Sequence, residues 1–383
     1  MKFFVIRKPA FARSYCLGLL MLLLPAARSQ PAFSFFCELD STAFLQLTRD
    51  TSVIRDLQAI RAAVRVGLLD LSQTRAEGVR NLNAAGIPVV AWLLLPADSG
   101  YWFNMYNAEQ AQRRYDAFKT WSAADSLRWI GVGLDLEPRM ADMQEAVHDP
   151  WLGARKAWGR LYEQDQLTRA RETYTELIRR MRADGFRTES YIIPPVLDDR
   201  LTGTTSFQLL MELVDIETDL EIPMCYSSVP GSSPAQILSY GAGAAAVAVG
   251  STGGGIKVDG MDALPAMSWE MLERDLLLAQ QVSREIHIFS LEGCVAQGFL
   301  PRIRSFYYLQ PVDINSRELV SVQQFRSRLQ LLLRFLAYPT WTVAGICLAL
   351  ILVIAFLVWG VIGVRRFFRL RRKGRAAEVS SAG

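Results

Sequence analysis

The chain has 383 residues, 51% of them hydrophobic, which is enough for one sizeable globular domain and a membrane segment. Its formal net charge is +4, and basic residues near the two ends account for more than this excess. The central part therefore has no surplus of positive charge, and no nucleic-acid partner is expected. The two histidines, His148 and His287, have no ligand-like spacing, so the sequence predicts neither a zinc site nor a Ser–His–Asp hydrolase.

Residues 1–29 have the order of a cleavable secretory signal peptide. Basic residues come first, an apolar run from Tyr15 to Leu24 follows, and the small residues Ala27 and Ser29 precede Gln30. We therefore expect the mature chain to begin at Gln30. An uncleaved signal would instead give a protein with two membrane spans and the same domain on the same side of the membrane.

The stretch from Trp341 to Val364 contains 24 residues without a charge, enough for a helix to cross a hydrocarbon core of about 30 Å. Seven cationic residues follow at once: Arg365, Arg366, Arg369, Arg371, Arg372, Lys373 and Arg375. Because such clusters stay in the cytoplasm, residues 365–383 are predicted to form a basic cytoplasmic tail. The chain is then a single-pass membrane protein whose N-terminal domain is periplasmic or extracellular.

Between these ends, short apolar runs alternate with amphipathic segments, which is the pattern of a parallel α/β domain. Eight strands are predicted, at 33–39, 64–71, 87–95, 130–137, 189–194, 222–227, 246–251 and 286–291. Segments with helical spacing lie between them, at 43–63, 73–85, 108–126, 151–183, 206–215, 234–243 and 268–284. This number of units favours a (β/α)8 TIM-like barrel over an open sheet, and we assign it to residues 30–318.

Two segments allow alternative interpretations. Residues 237–256 are rich in Gly and Ala, so they predict either a small-residue helix running into the seventh strand or a second membrane segment. Residues 319–340 mix apolar side chains with arginines in a juxtamembrane amphipathic segment. This segment could lie on the membrane surface or cap the barrel.

The stretch from Trp129 to Pro138 has the pattern of a buried strand that ends in two carboxylates. Because side chains alternate along a strand, Asp135 and Glu137 project on the same side. Such a pair at the C-terminal end of a barrel strand suits a glycoside-cleaving enzyme, in which one carboxyl stays protonated as an acid and its neighbour tunes it. The alternative is that both carboxylates only cap the next turn or pair with Arg139.

Polar and aromatic residues also lie where other strands end, at the face of a barrel that carries catalytic groups. They are Glu38 after strand one, Asp70 on strand two, Trp92 on three, Tyr191 on five, Met224 and Tyr226 on six, and Glu292 after eight. Carboxylates at four strand ends exceed what solubility requires, so we predict that these residues line a substrate site. Single members also have structural explanations, such as capping of the following helix by Asp70.

The loop after strand three is rich in aromatic residues, with Tyr101, Trp102, Phe103 and Tyr106. Sugars present C–H faces that pack on aromatic rings, and this loop belongs to the catalytic face of the barrel. We therefore predict that Tyr101, Trp102 and Tyr106 form sugar subsites together with Trp92, and contribute little to the barrel core. The alternative is a lid packed on the barrel rim.

Two short segments resemble signatures of the family 18 chitinase-like glycoside hydrolases. Gly131–Glu137 resembles the strand-four run of alternating Asp residues that ends in the acid Glu, and Met224–Tyr226 resembles the strand-six M-x-Y segment. Three positions differ from the family pattern. Ile130 replaces its first Asp, Gly133 replaces its middle Asp, and Ser227 replaces the Asp after the strand-six Tyr.

The resemblance implies roles for three residues and implies no metal or organic cofactor. Glu137 would protonate the leaving glycosidic oxygen, Asp135 would orient and stabilise a substrate acetamido group, and Tyr226 would hydrogen-bond that group. The missing carboxylate at Gly133 removes a partner that helps to shift the Asp135 proton.

The sequence thus predicts a membrane-anchored, extracytoplasmic glycoside hydrolase-like protein that acts on an envelope or extracellular polysaccharide; the resemblance adds N-acetylated sugars. A mechanism with an enzyme nucleophile stays open, with Glu292 or Glu38 as the second carboxylate. The rival prediction is a noncatalytic glycan-binding or scaffold domain on a degenerate barrel.

Overall fold

The computed structural model describes residues 31–254, 265–306, 310, 312 and 314–380. The predicted signal peptide, residues 1–29, lies outside the described residues, as do the side chains of the predicted basic tail.

Eight parallel strands form one sheet that curls into the predicted (β/α)8 barrel. They are β1 Ala32–Cys37, β2 Ala63–Leu68, β3 Val89–Leu93, β4 Gly131–Leu136, β5 Arg187–Ile192, β6 Leu220–Pro223, β7 Ala246–Gly250 and β8 Glu285–Phe289. The strand order is β6-β5-β4-β3-β2-β1-β8-β7. The sheet closes between β6 and β7 through a bridge between Met224 and Ala248, where the Cys225 N–H donates to the Ala248 carbonyl at 2.9 Å.

Helices connect the strands and follow the last one, and all of them except the exposed C-terminal helix pack on the outside of the barrel or on its ends. They are α1 Ser41–Arg49, α2 Thr51–Ile60, α3 Gln73–Ala84, α4 Ala108–Ala124, α5 Met140–His148, α6 Pro150–Arg160, α7 Gln164–Ala183, α8 Val196–Thr202, α9 Ser206–Leu210, α10 Ala235–Gly241, α11 Trp269–Val282, α12 Leu291–Ala296, α13 Phe299–Arg304, α14 Ser316–Leu336 and α15 Pro339–Ser380.

Local capping explains where several helices begin and end. Ser72 accepts a hydrogen bond from the Arg75 N–H at the start of α3, and Gly86 takes the positive φ that follows the end of the same helix. Asp50 follows the last residue of α1 and caps the first turn of α2. The single helix predicted at 43–63 is therefore two helices, and the one predicted at 151–183 likewise divides into α6 and α7.

The inside of the barrel has an ionic layer beneath an aromatic one. Towards the N-terminal ends of the strands, buried Arg65 donates to both carboxylate oxygens of buried Glu189, each at 2.8 Å. Closer to the C-terminal ends, Phe36 contacts the rings of Trp92 and Tyr191 edge to face, at centroid distances of 5.2 and 4.8 Å. This aromatic layer is the floor on which the strand-end residues stand.

The two ambiguous segments take definite places. Residues 237–254 supply the end of α10 and the buried strand β7, which pairs with β8, so the predicted helix and strand are confirmed, while residues 255 and 256 lie outside the described residues. Residues 319–340 fall mostly in α14, whose inner face packs on α8, α9 and α10 of the barrel wall. Within the described part of the chain, one helical stretch, Pro339–Ile362, is long and apolar enough to cross a membrane.

Candidate active site

The site is organised by the end of β4 and the loop that crosses it. Asp135 is the fifth residue of β4 and is 2% exposed, and Glu137 follows the strand as a half-buried side chain. The aromatic loop adds to this strand end, since the Phe103 N–H donates to the Asp135 carbonyl at 2.8 Å and the Glu137 N–H donates to the Phe103 carbonyl at 3.2 Å. Backbone hydrogen bonds on both sides therefore hold the two carboxylates in place.

Burial gives these two carboxyls an unusual affinity for protons. It raises the pKa of Glu137 from 4.5 to about 7, although a hydrogen bond from Asp135 acts in the opposite direction. Burial and then the charges of Glu137 and Glu38 raise the pKa of Asp135 well above its ordinary value. Because the two carboxyls share a hydrogen bond, their protons leave in coupled steps. At neutral pH the pair keeps a proton, as a general acid requires.

A second group of carboxylates stands beside this pair. The Tyr101 hydroxyl donates to Glu38 at 2.6 Å, and the Glu38 N–H donates to Glu292 at 3.3 Å. Burial raises the pKa of Glu292 as well. The ends of β1, β4 and β8 thus supply four acidic side chains to one region, namely Glu38, Asp135, Glu137 and Glu292. The negative charges of Glu38 and Glu137 both raise the pKa of Asp135, which shows that these groups lie close together.

Three buried polar atoms in this region have no hydrogen-bond partner among the described residues: the Trp92 indole nitrogen, Asp135 Oδ1 and Glu292 Oε2. The Trp92 N–H is still close enough to Asp135 to favour its ionised form and lower its pKa. Buried polar groups are otherwise almost always paired, so these three are the natural contacts for a bound ligand or water.

Tyr226 stands over the aromatic floor next to the carboxylates. Its ring is 5.8 Å from that of Phe289, which in turn lies 6.4 Å from Trp92. Burial and then the negative charges of Asp135, Glu137 and Glu38 raise its pKa, so Tyr226 keeps its hydroxyl proton at neutral pH. It can therefore donate a hydrogen bond to a ligand held between these groups.

Inside the barrel, the ring of Tyr191 occupies the space that a side chain at position 133 would need. Tyr191 is fully buried and donates from its hydroxyl to Glu189 at 3.2 Å. A Cβ at Gly133 would overlap the Tyr191 ring, 2.5 Å from Cζ. A carboxylate therefore cannot be added at Gly133 unless Tyr191 moves, and the neighbour of Asp135 on the inner side is a phenol.

The aromatic loop packs on the rim of the barrel. Tyr101 and Trp102 are 4% and 8% exposed, their rings meet edge to face at 5.2 Å, and Phe103 is fully buried in the main core. The expectation that this loop contributes little to the core is wrong, because Phe103 packs in the main core and Tyr101 and Trp102 join the aromatic cluster of Phe36, Trp92 and Tyr191. Tyr101 also holds a positive φ of 64°, a strained conformation for a tyrosine that its bond to Glu38 helps to maintain.

Three other predicted residues have contacts of their own. Tyr106 donates to Glu163 at 2.6 Å and stacks under the Arg139 guanidinium. Asp70 accepts from the Ser72 N–H and from the buried Arg75 side chain, as expected of a residue that supports the following helix. Half-buried Met224 joins the sheet closure and packs against the aromatic floor.

Arg139 does not neutralise the site carboxylates. It pairs instead with Glu212 at 3.0 Å and with Asp142 at 2.6 Å, so the alternative in which Arg139 pairs with Asp135 or Glu137 is wrong. Glu212 was not predicted from the sequence, because no local pattern distinguishes it. It is a fully buried carboxylate that also binds Arg160 at 2.6 Å. This cluster fixes the chain where it leaves β4.

Among the described residues, no group of three or more His, Cys, Asp or Glu side chains is arranged to hold a metal ion. Comparison with family models and with curated proteins gives no match.

A search of solved structures gives several matches. A GH18 chitinase from Pseudoalteromonas aurantia is 12% identical, with 72% of this chain and 99% of that chain covered and a TM-score of 0.42. The PgaB (BpsB) glycoside hydrolase domain from Bordetella bronchiseptica is 11% identical, with 74% and 100% covered and a TM-score of 0.39. A family 2 AP endonuclease from Brucella melitensis is 11% identical, with 70% and 98% covered and a TM-score of 0.36. Matches with identities and TM-scores this low carry no argument about the reaction or the substrate. These are therefore inferred from the side chains of this chain.

Proposed function

We propose that this protein is a membrane-anchored glycoside hydrolase that acts outside the cytoplasm on a polysaccharide containing N-acetylated sugars. The observation that carries the proposal is the Asp135–Glu137 pair, which retains a proton at neutral pH at the C-terminal end of a barrel strand. The unpaired indole N–H of Trp92 and the hydroxyl of Tyr226 supply donors beside it.

In the proposed reaction, Glu137 gives its proton to the glycosidic oxygen as the bond from that oxygen to the sugar C1 breaks. The acetamido oxygen of the substrate forms a new bond to C1 and takes the place of an enzyme nucleophile. Asp135 holds the acetamido N–H and stabilises the positive charge that develops on the group. A water molecule then attacks C1, releases the acetamido oxygen and returns a proton to Glu137.

A second candidate, a noncatalytic glycan-binding barrel, is favoured by the contact between Gly133 and Tyr191. That contact leaves Asp135 without an inner carboxylate to exchange its proton, so the Asp135 proton moves only between Asp135 and Glu137. Turnover therefore depends on whether the substrate itself can draw that proton away.

The test is hydrolysis of N-acetylated oligosaccharides by the full-length protein and by its Glu137→Gln form. Gln keeps the shape of the side chain but carries no transferable proton, so turnover should fall by roughly 10²–10⁴-fold while substrate binding persists. Glu221→Gln is the matched control, because Glu221 is a half-buried strand residue that pairs with Arg200. Its turnover should remain that of the wild type. Binding without turnover in every form would favour the noncatalytic barrel.

A further inference from the structure

Helix α14 carries apolar side chains on two faces, and the barrel uses only one of them. The inner face includes buried Val322, Leu333 and Leu336. The outer side exposes Phe325, Leu331, Leu332 and Phe335, each about half accessible, at 56%, 55%, 50% and 56%. A helix that only capped a soluble barrel would be polar on its outer side. An apolar patch of this kind marks a surface that contacts something else.

The inner face is held to the barrel by buried polar contacts as well as by packing. Fully buried Asp198 of α8 accepts hydrogen bonds from Arg326 Nε at 3.0 Å, from Gln330 Nε2 at 2.7 Å and from the Tyr240 hydroxyl at 2.8 Å. The Ser206 hydroxyl donates to the Leu333 carbonyl at 2.9 Å. Removing one partner of such a buried group leaves a desolvated charge, so these contacts fix the orientation of α14. The outer face therefore points to a constant side of the barrel.

The position of α14 in the chain indicates what covers its outer face. It ends at Leu336, and the apolar helix α15 begins at Pro339, with exposed Tyr338 and Trp341 at the junction. Tyrosine and tryptophan concentrate where a membrane span meets water. The patch is thus continuous with the proposed span.

Charge agrees with a lipid surface. Arg317, Arg328 and Arg334 are exposed on α14, against a single acidic residue, Glu318, which accepts from Ser233. A helix with large apolar side chains and arginines on its free side has the composition of helices that lie in the interface of a bilayer with anionic lipids.

We infer that the outer face of α14 lies in the interfacial layer of an anionic membrane and seats the barrel on the bilayer. This inference rests on the membrane anchor in the proposed function. The patch contacts the lipid surface. Because α14 packs on α8, α9 and α10, it holds the barrel at a fixed distance from the lipid. Without α14 the span alone would leave the domain free to tilt.

The experiment places spin labels on the full-length protein in vesicles of equal parts phosphatidylcholine and phosphatidylglycerol. Cys16 and Cys347 are first replaced by Ala, since the other three cysteines are buried. Single labels are introduced by Leu332→Cys on the patch, Leu350→Cys in the span and Thr173→Cys on a partly exposed position of α7. Relaxation by oxygen, which enters lipid, is compared with relaxation by a water-soluble nickel complex.

For the label at 332, the ratio of oxygen relaxation to nickel relaxation should differ from that at 173 and approach that at 350. Residues 332 and 350 both contact lipid if the inference is right. A label at 332 that matches 173 while 350 reports lipid would overturn the inference and leave the anchor standing. Water-like ratios at both 332 and 350 would reject the anchor too. Dipolar broadening at 332 between two copies would also overturn the inference, in favour of a dimer interface. Phe325→Cys provides a second position whose label should follow that at 332.

Discussion

At the scale of single residues, the site depends on a balance between burial and charge. Asp135 and Glu137 are close enough to share a hydrogen bond, and burial makes a second negative charge in that space expensive. A proton is therefore retained where water alone would have removed it. Tyr226 meets the same negative charges and stays protonated, so it can donate a hydrogen bond beside the pair.

The pH dependence of turnover should report this retained proton. Glu137 donates only when protonated, and its pKa is about 7, so kcat/KM should fall about tenfold per pH unit above that value. The hydrogen bond from Asp135 lowers the pKa of Glu137, so Asp135→Ala should move this limb to higher pH. Pre-steady-state hydrolysis measures the limb, and 13C NMR of labelled glutamate follows the same titration where turnover is slow. An unmoved titration in the Ala variant would contradict the assignment.

The raised pKa of Glu137 also makes the stability of the fold depend on pH. The folded-state pKa of Glu137 is raised above the unfolded value of 4.5, so its contribution to folding is fully present below pH 4.5 and is lost as pH rises through about 7. The melting temperature of the wild type should therefore fall across this window relative to that of Glu137→Gln.

The contact between Gly133 and Tyr191 should appear as strong energetic coupling. Gly133→Ala forces the new Cβ against the Tyr191 ring and should destabilise the fold by about 1–3 kcal/mol. Tyr191→Ala should also destabilise it, because it opens a cavity and removes a donor to Glu189. The double variant should be less destabilised than the sum of the two, since the cavity accepts the added methyl group. Chemical unfolding of the four forms measures this coupling, and strict additivity would show that Tyr191 is not the obstacle.

At the scale of elements, the loop from Tyr101 to Tyr106 joins the site to the core. Trp102→Ala should lower stability by about 3–5 kcal/mol, since the ring is buried against Tyr101. Trp151, which is 83% exposed on α6, supplies the matched control, and Trp151→Ala should change stability by no more than about 0.5 kcal/mol. Equal stability of the two variants, measured by thermal unfolding, would return the loop to the role of a loosely packed lid.

The sequence predicted the strands well because most are apolar runs of strand length, and every observed end lies within three residues of its prediction except that of β6, which ends four residues earlier, at Pro223. It missed short helices such as α5 and α8, which are too brief to display a repeated apolar face. Alternation along β4 was sufficient to place Asp135 beside Glu137. The link between Glu38 and Glu292 could not be predicted, because its members are 254 positions apart and meet only through closure of the sheet.

At the scale of the whole molecule, α14 connects the barrel to α15. Two residues separate α14 from α15, and α14 is bonded to the barrel through Asp198 and Ser206. Motion of the domain relative to a span would therefore have to occur at Ala337 and Tyr338. Under the proposed membrane anchoring, a substrate attached to the same envelope would meet a site whose height above the bilayer varies little.

Orientation in the membrane is the property on which the proposed function depends, since a glycan outside the cytoplasm requires the barrel to be there. The seven cationic residues that follow the apolar stretch predict a cytoplasmic C-terminus. A reporter that works only in the cytoplasm should be active when fused after Gly383 and inactive when fused after Arg317. Alkaline phosphatase, which works only outside, should give the opposite pattern at the same two positions, so a failure to fold cannot imitate the result. The reverse pattern for both reporters would put the barrel in the cytoplasm and separate it from any envelope polysaccharide.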